Sequence, residues 1–396
     1  MCADRRERGT TVSGSSSPVA LLADPVDVGL DPRRLALLTE RVRIEVEGGP
    51  LPSAQIALAR AGRLVLFETY GDATPQTRYV LQSASRPIVA SIVWKLMGEG
   101  LLAAGERVAD IIPEFGTNGK DVVTVEQVLT HTAGFPLAPL GWPQMLDRGQ
   151  RLAAMSKWRL TFEPGSRLEF HLTSAAWVIA EIVERRTGST LAQYLREEIA
   201  EPLGLSLELG VPQERHADDV APFVSIDPPD TGATVDPWGP WYLSKPEILA
   251  AGEPSHSLVG TARDVALHYQ SLFHSGRWTP TAVTDGIRPR LTMHPQGYSA
   301  QPNPVTMGLF VVVAGTLPGA YLPATGSAET FGHGGAPCQV SFMDPVSQVS
   351  FAFLTNGYPL SGYDESPRGV ARRTNIANLA ADVLADASAD AVADRP

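Results

Sequence analysis

Apolar positions recur along this chain with two periods, and the switches between them predict its elements. Leu35, Leu38, Val42 and Ile44 follow at helical spacing after Asp31-Pro32, a capping side chain followed by a proline whose fixed φ suits a first turn, and Gly48-Gly49 ends the run. Two strand-like runs, 55–59 and 64–68, flank Ala61-Gly62 and predict a hairpin. A helix over 86–99 closes at Gly100, and further helices are predicted over 173–186, 190–201, 261–275 and 369–385. Strands are predicted over 307–313, 339–343 and 349–354, with Asp344-Pro345 turning the last two into a hairpin. Residues 136–159 read as a long loop or short helices over a site. The stretch 206–261, rich in Pro, Gly and Trp, yields no chain path.

Strands, then helices, then strands, then a terminal helix predict an α/β (α+β) fold: an antiparallel sheet flanked by helices and drawn from both ends of the chain, with an inserted helical subdomain. The expected boundaries are a disordered Ser/Gly/Arg-rich tail at 1–25, an α/β subdomain from 26–82 with 205–390, and a mainly helical subdomain at 83–204. No internal repeat is present.

Composition narrows the functions available. The 396 residues suffice for one large or two ordinary domains, and 43% apolar content is ordinary for a globular chain. A net charge of -11 argues against nucleic acid or an anionic membrane as partner. Cys2 and Cys338 are the only cysteines, one of them in the tail, so no structural disulfide is expected. The first residues lack an apolar core of secretory type and no stretch is long enough for a membrane span, which predicts a cytoplasmic protein. Neither a metal-ligand cluster nor a Gly-rich phosphate loop is evident, so the expected partner is a small-molecule substrate and no cofactor. Oligomeric state is not indicated.

The chemistry concentrates at Ser83-Ala84-Ser85-Arg86, just ahead of the long apolar helix. A serine at a helix N-terminus is well placed as a nucleophile, but it needs a neighbouring proton acceptor. Arg86 cannot serve, because a guanidinium keeps its proton at any pH a protein survives. Only Lys95, Lys120, Lys157 and Lys245 are lysines, so a general drift towards arginine also explains Arg86 without a new function. Histidine is the natural substitute base near neutral pH, and His171, His333 and His256 are the candidates.

Several segments fall in one order and spacing. They are Ser83-x-x-Arg86 with Pro87-Ile88-Val89-Ala90, then Val128-Leu129-Thr130-His131-Thr132-Ala133-Gly134, then Glu163-Pro164-Gly165 leading to Phe170-His171-Leu172. Glu201-Pro202-Leu203-Gly204, Val259-Gly260-Thr261, Met307-Gly308-Leu309-Phe310 and Gly332-His333-Gly334-Gly335 follow. Together they resemble the serine β-lactamase and penicillin-binding-protein superfamily, in its class C-type esterase and transacylase branch, over roughly residues 30–385.

The resemblance implies a β-lactamase/transpeptidase-like fold and Ser83 as nucleophile. The Ser83 N–H would be one oxyanion donor, with a second from the strand after His333-Gly334-Gly335, near Pro337-Cys338-Gln339, where Pro337 has no N–H to give. It also implies that the family's lysine falls on Arg86, its tyrosine on Phe170 and its asparagine on Leu172. His171 would be the middle residue of that turn, facing away from the pocket. His333 would lie on the pocket strand, as base or as a ligand to a substrate carboxylate or hydroxyl. Arg86 would stabilise an alkoxide, clamp a substrate anion or pair with a local carboxylate. Trp142, Trp238, Trp241 and Tyr242, with Phe170 and Leu172, would make an aromatic cavity, and Gly334, Gly335 and Cys338 would complete the substrate contacts.

Three functions stay open. One is acyl transfer or hydrolysis at Ser83 on a small hydrophobic ester, thioester or amide, in small-molecule biosynthesis. The second is a repurposed pocket that promotes cyclisation or isomerisation without an acyl-enzyme. The third is a catalytically silent binding protein.

Overall fold

A computed structural model describes residues 22–228, 232–235, 239–315, 322–336, 338–362, 364 and 366–385. Asp31 caps α1 (Pro32–Glu47) by accepting from Arg33 N, with Pro32 in the first turn. β1 (Ser53–Arg60) and β2 (Arg63–Gly71) form the predicted hairpin around Ala61-Gly62. α2 (Arg86–Gly98) and α3 (Ser174–Thr187) supply the helical layer, and α4 (Ala262–His274) begins at a capping box formed by Thr261 and Asp264. β3 (Leu291–Met293), β4 (Val305–Met307), β5 (Val312–Val313), β6 (Phe331–Gly332), β7 (Val340–Asp344) and β8 (Val349–Thr355) follow, and α5 (Pro367–Ala381) ends the fold.

Among the described residues the main sheet has eight strands in the order β2-β1-β8-β7-β6-β5-β4-β3, every neighbouring pair antiparallel. Alternation along β1 decides the layers. Ile56 and Leu58 join Leu35, Leu38, Val42 and Ile376 in a core with α1 and α5. Ala57 and Ala59 face the opposite core, with Val265, Ala266 and Tyr269 of α4 and the apolar residues of α2 and α3. Alanine on that face lets α4 lie close against β1 and β8. Among the described residues no helix is long and apolar enough to cross a membrane.

Three expectations need correction. The stripe of α1 runs through Leu35, Leu38, Val42 and Glu45, whereas Ile44 is exposed. Position 45 keeps helical register with 38 and 42, and 44 does not. Burying that carboxylate requires cations, supplied by Arg372 Nε at 2.7 Å and Arg41 Nη2 at 2.6 Å. The predicted strand 307–313 is two short strands, β4 and β5, folded back on each other around Phe310, whose φ is 64°. The predicted disordered tail overruns the ordered chain, because Ala23 is buried and its N–H donates to Leu64 O at 2.8 Å. Residues 1–21 lie outside those described.

The stretch without a readable path turns back to the helical layer. Glu208–Leu209 pairs with Leu258–Gly260, which pairs with Tyr79–Val80 just before the Ser83 turn. Leu81 N continues that pairing, donating to Leu258 O at 2.8 Å.

Candidate active site

Ser83 lies in a 3-10 turn, Gln82–Ser85, that feeds directly into α2, with Arg86 N donating to Ser83 O. The turn depends on Gln82, which is buried at φ 50°, a sparsely allowed region for a residue with a side chain. Its Nε2 donates to Ser244 Oγ at 2.7 Å, which ties the turn to the 239–245 segment. α2 is buried on nearly every side, as expected for a helix apolar all round, so the serine and arginine at its start are rigidly held.

Six of the residues singled out from sequence share one cavity of about 300 Å³: Ser83, Arg86, Phe170, Leu172, His333 and Gly334. Ala336 belongs to the same wall. The strand leading to that wall passes close to its neighbour, since a Cβ on Gly332 would stand 2.2 Å from Ser341 O.

Other expected site residues are elsewhere. His171 is fully buried behind the cavity; its Nδ1 donates to Glu169 O at 2.8 Å and its Nε2 accepts from Phe135 N at 3.1 Å. Both nitrogens are therefore used, and burial above all pushes its pKa down to about 3. Trp142 is 46% exposed at the surface. Trp241 donates its indole N–H to Pro359 O at 2.8 Å and packs edge-on to Phe223, and the Tyr242 ring lies 5.0 Å from Lys245 Nζ. Gly335 forms a local bridge with Gln339. Cys338 belongs to the α1–α5 core beside Arg372, and burial pushes its thiol up to about 11. Trp238 and Pro337 fall outside the described residues. His256 is buried with Nδ1 2.9 Å from Glu253 Oε2, and it also stands outside the cavity.

The far wall of the cavity carries no signal in the sequence. Tyr298, Ser299 and Gln301 from the β3–β4 connection line the cavity, with Val305 and Val312 from the strands beyond. This connection is zipped onto residues 168–170: Gln296 N donates to Leu168 O at 2.9 Å, Phe170 N to Ser299 Oγ at 3.1 Å and Tyr298 OH to Phe170 O. No periodicity marks such a segment, because its bonds are to a distant backbone and its side chains face a void.

Arg86 is only 2% exposed. Its Nη2 donates to Leu172 O at 2.7 Å and its Cζ lies 5.1 Å from the Phe310 ring centre. The same Leu172 carbonyl lies 2.9 Å from Ser255 Oγ, which is itself 2.8 Å from the buried Glu253 carboxylate. Nη1 approaches His131 Nε2 at 3.5 Å. His131 Nδ1 accepts from His171 N at 3.1 Å, so in the neutral ring Nε2 carries the hydrogen and faces Arg86 as donor against donor. That approach is a contact rather than a hydrogen bond. Burial first, then the charge of Arg86, hold His131 well below the usual histidine range.

His333 stands on the cavity wall with Nδ1 2.7 Å from Gly334 O. Burial and then the Arg86 charge depress its pKa to about 3. Among the described residues no side chain hydrogen-bonds the Ser83 hydroxyl, and no carboxylate lines the cavity. The one phenol on the wall, Tyr298, has its proton committed to the Phe170 carbonyl.

Comparison with known proteins agrees with the geometry of the fold. A penicillin-binding protein homologue from Caulobacter crescentus superposes with a TM-score of 0.74 at 28% identity, covering 89% of this chain and 98% of that one. EstA of Arthrobacter nitroguajacolicus superposes with the same score at 22% identity, over 89% and 98% of the two chains, a likeness of fold alone. An Escherichia coli K12 protein whose name gives D-alanyl-D-alanine carboxypeptidase as a provisional activity is 25% identical, across 87% of each chain. The Beta-lactamase family profile matches residues 38–375, which is most of the chain, and the protein belongs to that family.

Proposed function

We propose that this chain acts on the acyl carbonyl of a small hydrophobic ester, thioester or amide, by hydrolysis or acyl transfer, with Ser83 as the attacking group. The observation that carries this reading is the shared cavity of Ser83, Arg86, His333, Gly334 and Ala336. The Ser83 and Ala336 N–H groups would receive the carbonyl oxygen, Ala336 taking the part that Pro337 cannot. Leu172, Val305 and Val312 suit an apolar acyl chain. Structural neighbours named as a family VIII carboxylesterase and as a hydrolase with promiscuous acyltransferase activity support the same reaction class.

Arg86 and Phe170 stand, on this reading, where the family carries its proton-accepting lysine and tyrosine. Arg86 is then a fixed cation that favours the developing negative charge and does not act as a base. Among the described residues His333 is the one imidazole on the wall, and a group that protonates near 3 takes a proton poorly at neutral pH. Activated acyl groups, which need little help from a base, are therefore the better substrates.

A fluorophosphonate probe tests this. Intact-mass analysis is expected to show one adduct, at Ser83, that is absent in Ser83→Ala. No adduct at any pH up to 9 would contradict an attacking serine. The absence, among the described residues, of a hydrogen-bond partner for the Ser83 hydroxyl favours a second reading, in which Ser83 and Arg86 only orient and polarise a carbonyl for rearrangement without an acyl-enzyme. Work in small-molecule biosynthesis suits either reading.

A further inference from the structure

His333 is held in one protonation state as well as one orientation. A carbonyl oxygen only accepts, so the 2.7 Å contact with Gly334 O puts the hydrogen on Nδ1 and the lone pair on Nε2. The Phe170 ring meets the imidazole edge-on, its centre 6.4 Å away. Nε2 is buried, and no group among the described residues hydrogen-bonds it. Orphaned buried acceptors are uncommon, and each calls for an explanation such as a ligand.

The neighbours sharpen the point. Arg86 and the Ser83 hydroxyl share this wall and carry donors, yet neither hydrogen-bonds His333 Nε2, which is left as an acceptor without a donor among the described residues. The other imidazoles nearby do not compete, since His131 and His171 accept from backbone N–H groups at 3.1 Å each. Burial and the Arg86 charge keep His333 neutral across the physiological range, so the lone pair stays available.

Resting on the acyl-carbonyl reading above, we propose that the substrate is an acyl compound bearing a hydroxyl or N–H group that donates to His333 Nε2 while its carbonyl lies at Ser83. His333 is then a specificity residue. It rejects the plain acyl analogue because that analogue leaves a buried acceptor unpaired, the arrangement that gives hydroxyl-reading sites their selectivity.

The test compares 4-nitrophenyl 3-hydroxybutyrate with 4-nitrophenyl butyrate. Native protein is expected to favour the hydroxylated ester by about tenfold or more in kcat/KM. His333→Leu brings the ratio to about one, while His333→Asn, which keeps an acceptor oxygen, retains part of the preference. Equal ratios in all three proteins overturn the proposal. If native protein hydrolyses neither ester, the acyl-turnover reading is what has failed. Equilibrium binding of 3-hydroxybutyramide and butyramide then decides: a hydroxyl preference lost in His333→Leu supports the proposal, and equal binding overturns it.

Discussion

Replacing Arg86 by lysine together with Phe170 by tyrosine is expected to raise kcat/KM for an activated aryl ester by roughly 10²–10⁴-fold, the span a positioned proton acceptor contributes. Lysine on the same first turn of α2 would stand in the Ser83 cavity as an amine, and burial lowers the pKa of an amine where it cannot move that of a guanidinium out of its charged form. Tyrosine at 170 adds a phenol to a ring that already lines the cavity and packs 4.9 Å from His131. The substitution removes one donor, Arg86 Nη2 to Leu172 O, so some loss of stability accompanies the gain in rate. The single variants give smaller increases, because the family's two groups work as a unit. A folded double variant no faster than native protein would contradict the assignment of these two positions.

Acid lability is the second large effect. Burial depresses the pKa of His171 and His268 from 6.5 to about 3, and both are fully buried. The native state holds them neutral while the unfolded chain binds a proton at each below 6.5. Their contribution is therefore fully present above pH 6.5 and is lost as pH falls towards 3. At pH 5 each costs about 2 kcal/mol, so the pair removes about 4 kcal/mol, a large part of an ordinary domain's stability, and His131 and His333, depressed by the same burial, add to the loss. Urea unfolding at pH 7.5 and 5.0 measures this loss. His268→Leu, which gives up the 3.0 Å contact with Ser91 Oγ, is expected to lower stability at pH 7.5 yet flatten the pH slope by about one proton. Equal slopes in the two proteins would show that His268 titrates normally in the folded state.

Much of the fold was legible because its signals are local. Asp31-Pro32 capped a helix, Ala61-Gly62 turned a hairpin and Thr261 opened α4 where spacing placed each of them. Register was lost where a polar residue sat on an apolar stripe: Glu45 displaced Ile44 because Arg372, more than 300 positions away, balances its charge. The same limit applies to the site. Ser83, Arg86 and Phe170 were found through an ordered set of motifs, and His333 through its glycine-flanked strand. Cys338 was misplaced because a side chain's direction depends on one residue of register, and it turned into the α1–α5 core, whereas His171, expected to face away from the pocket, lies in the Phe135 layer. Trp142 and Trp241 were expected at the cavity because their segments should border it, but surface exposure and a bond to Pro359 account for them. Tyr298 and Ser299 carried no signal, since what fixes them is the backbone of residues 168–170.

The most direct test of whether Ser83 lacks a proton acceptor is the pH dependence of its phosphonylation rate in native protein. The rate is expected to climb across pH 6–9 without levelling, because hydroxide and not a side chain removes the proton. A sigmoidal profile that saturates with a midpoint in that range would reveal a titrating base beside Ser83 and contradict the account.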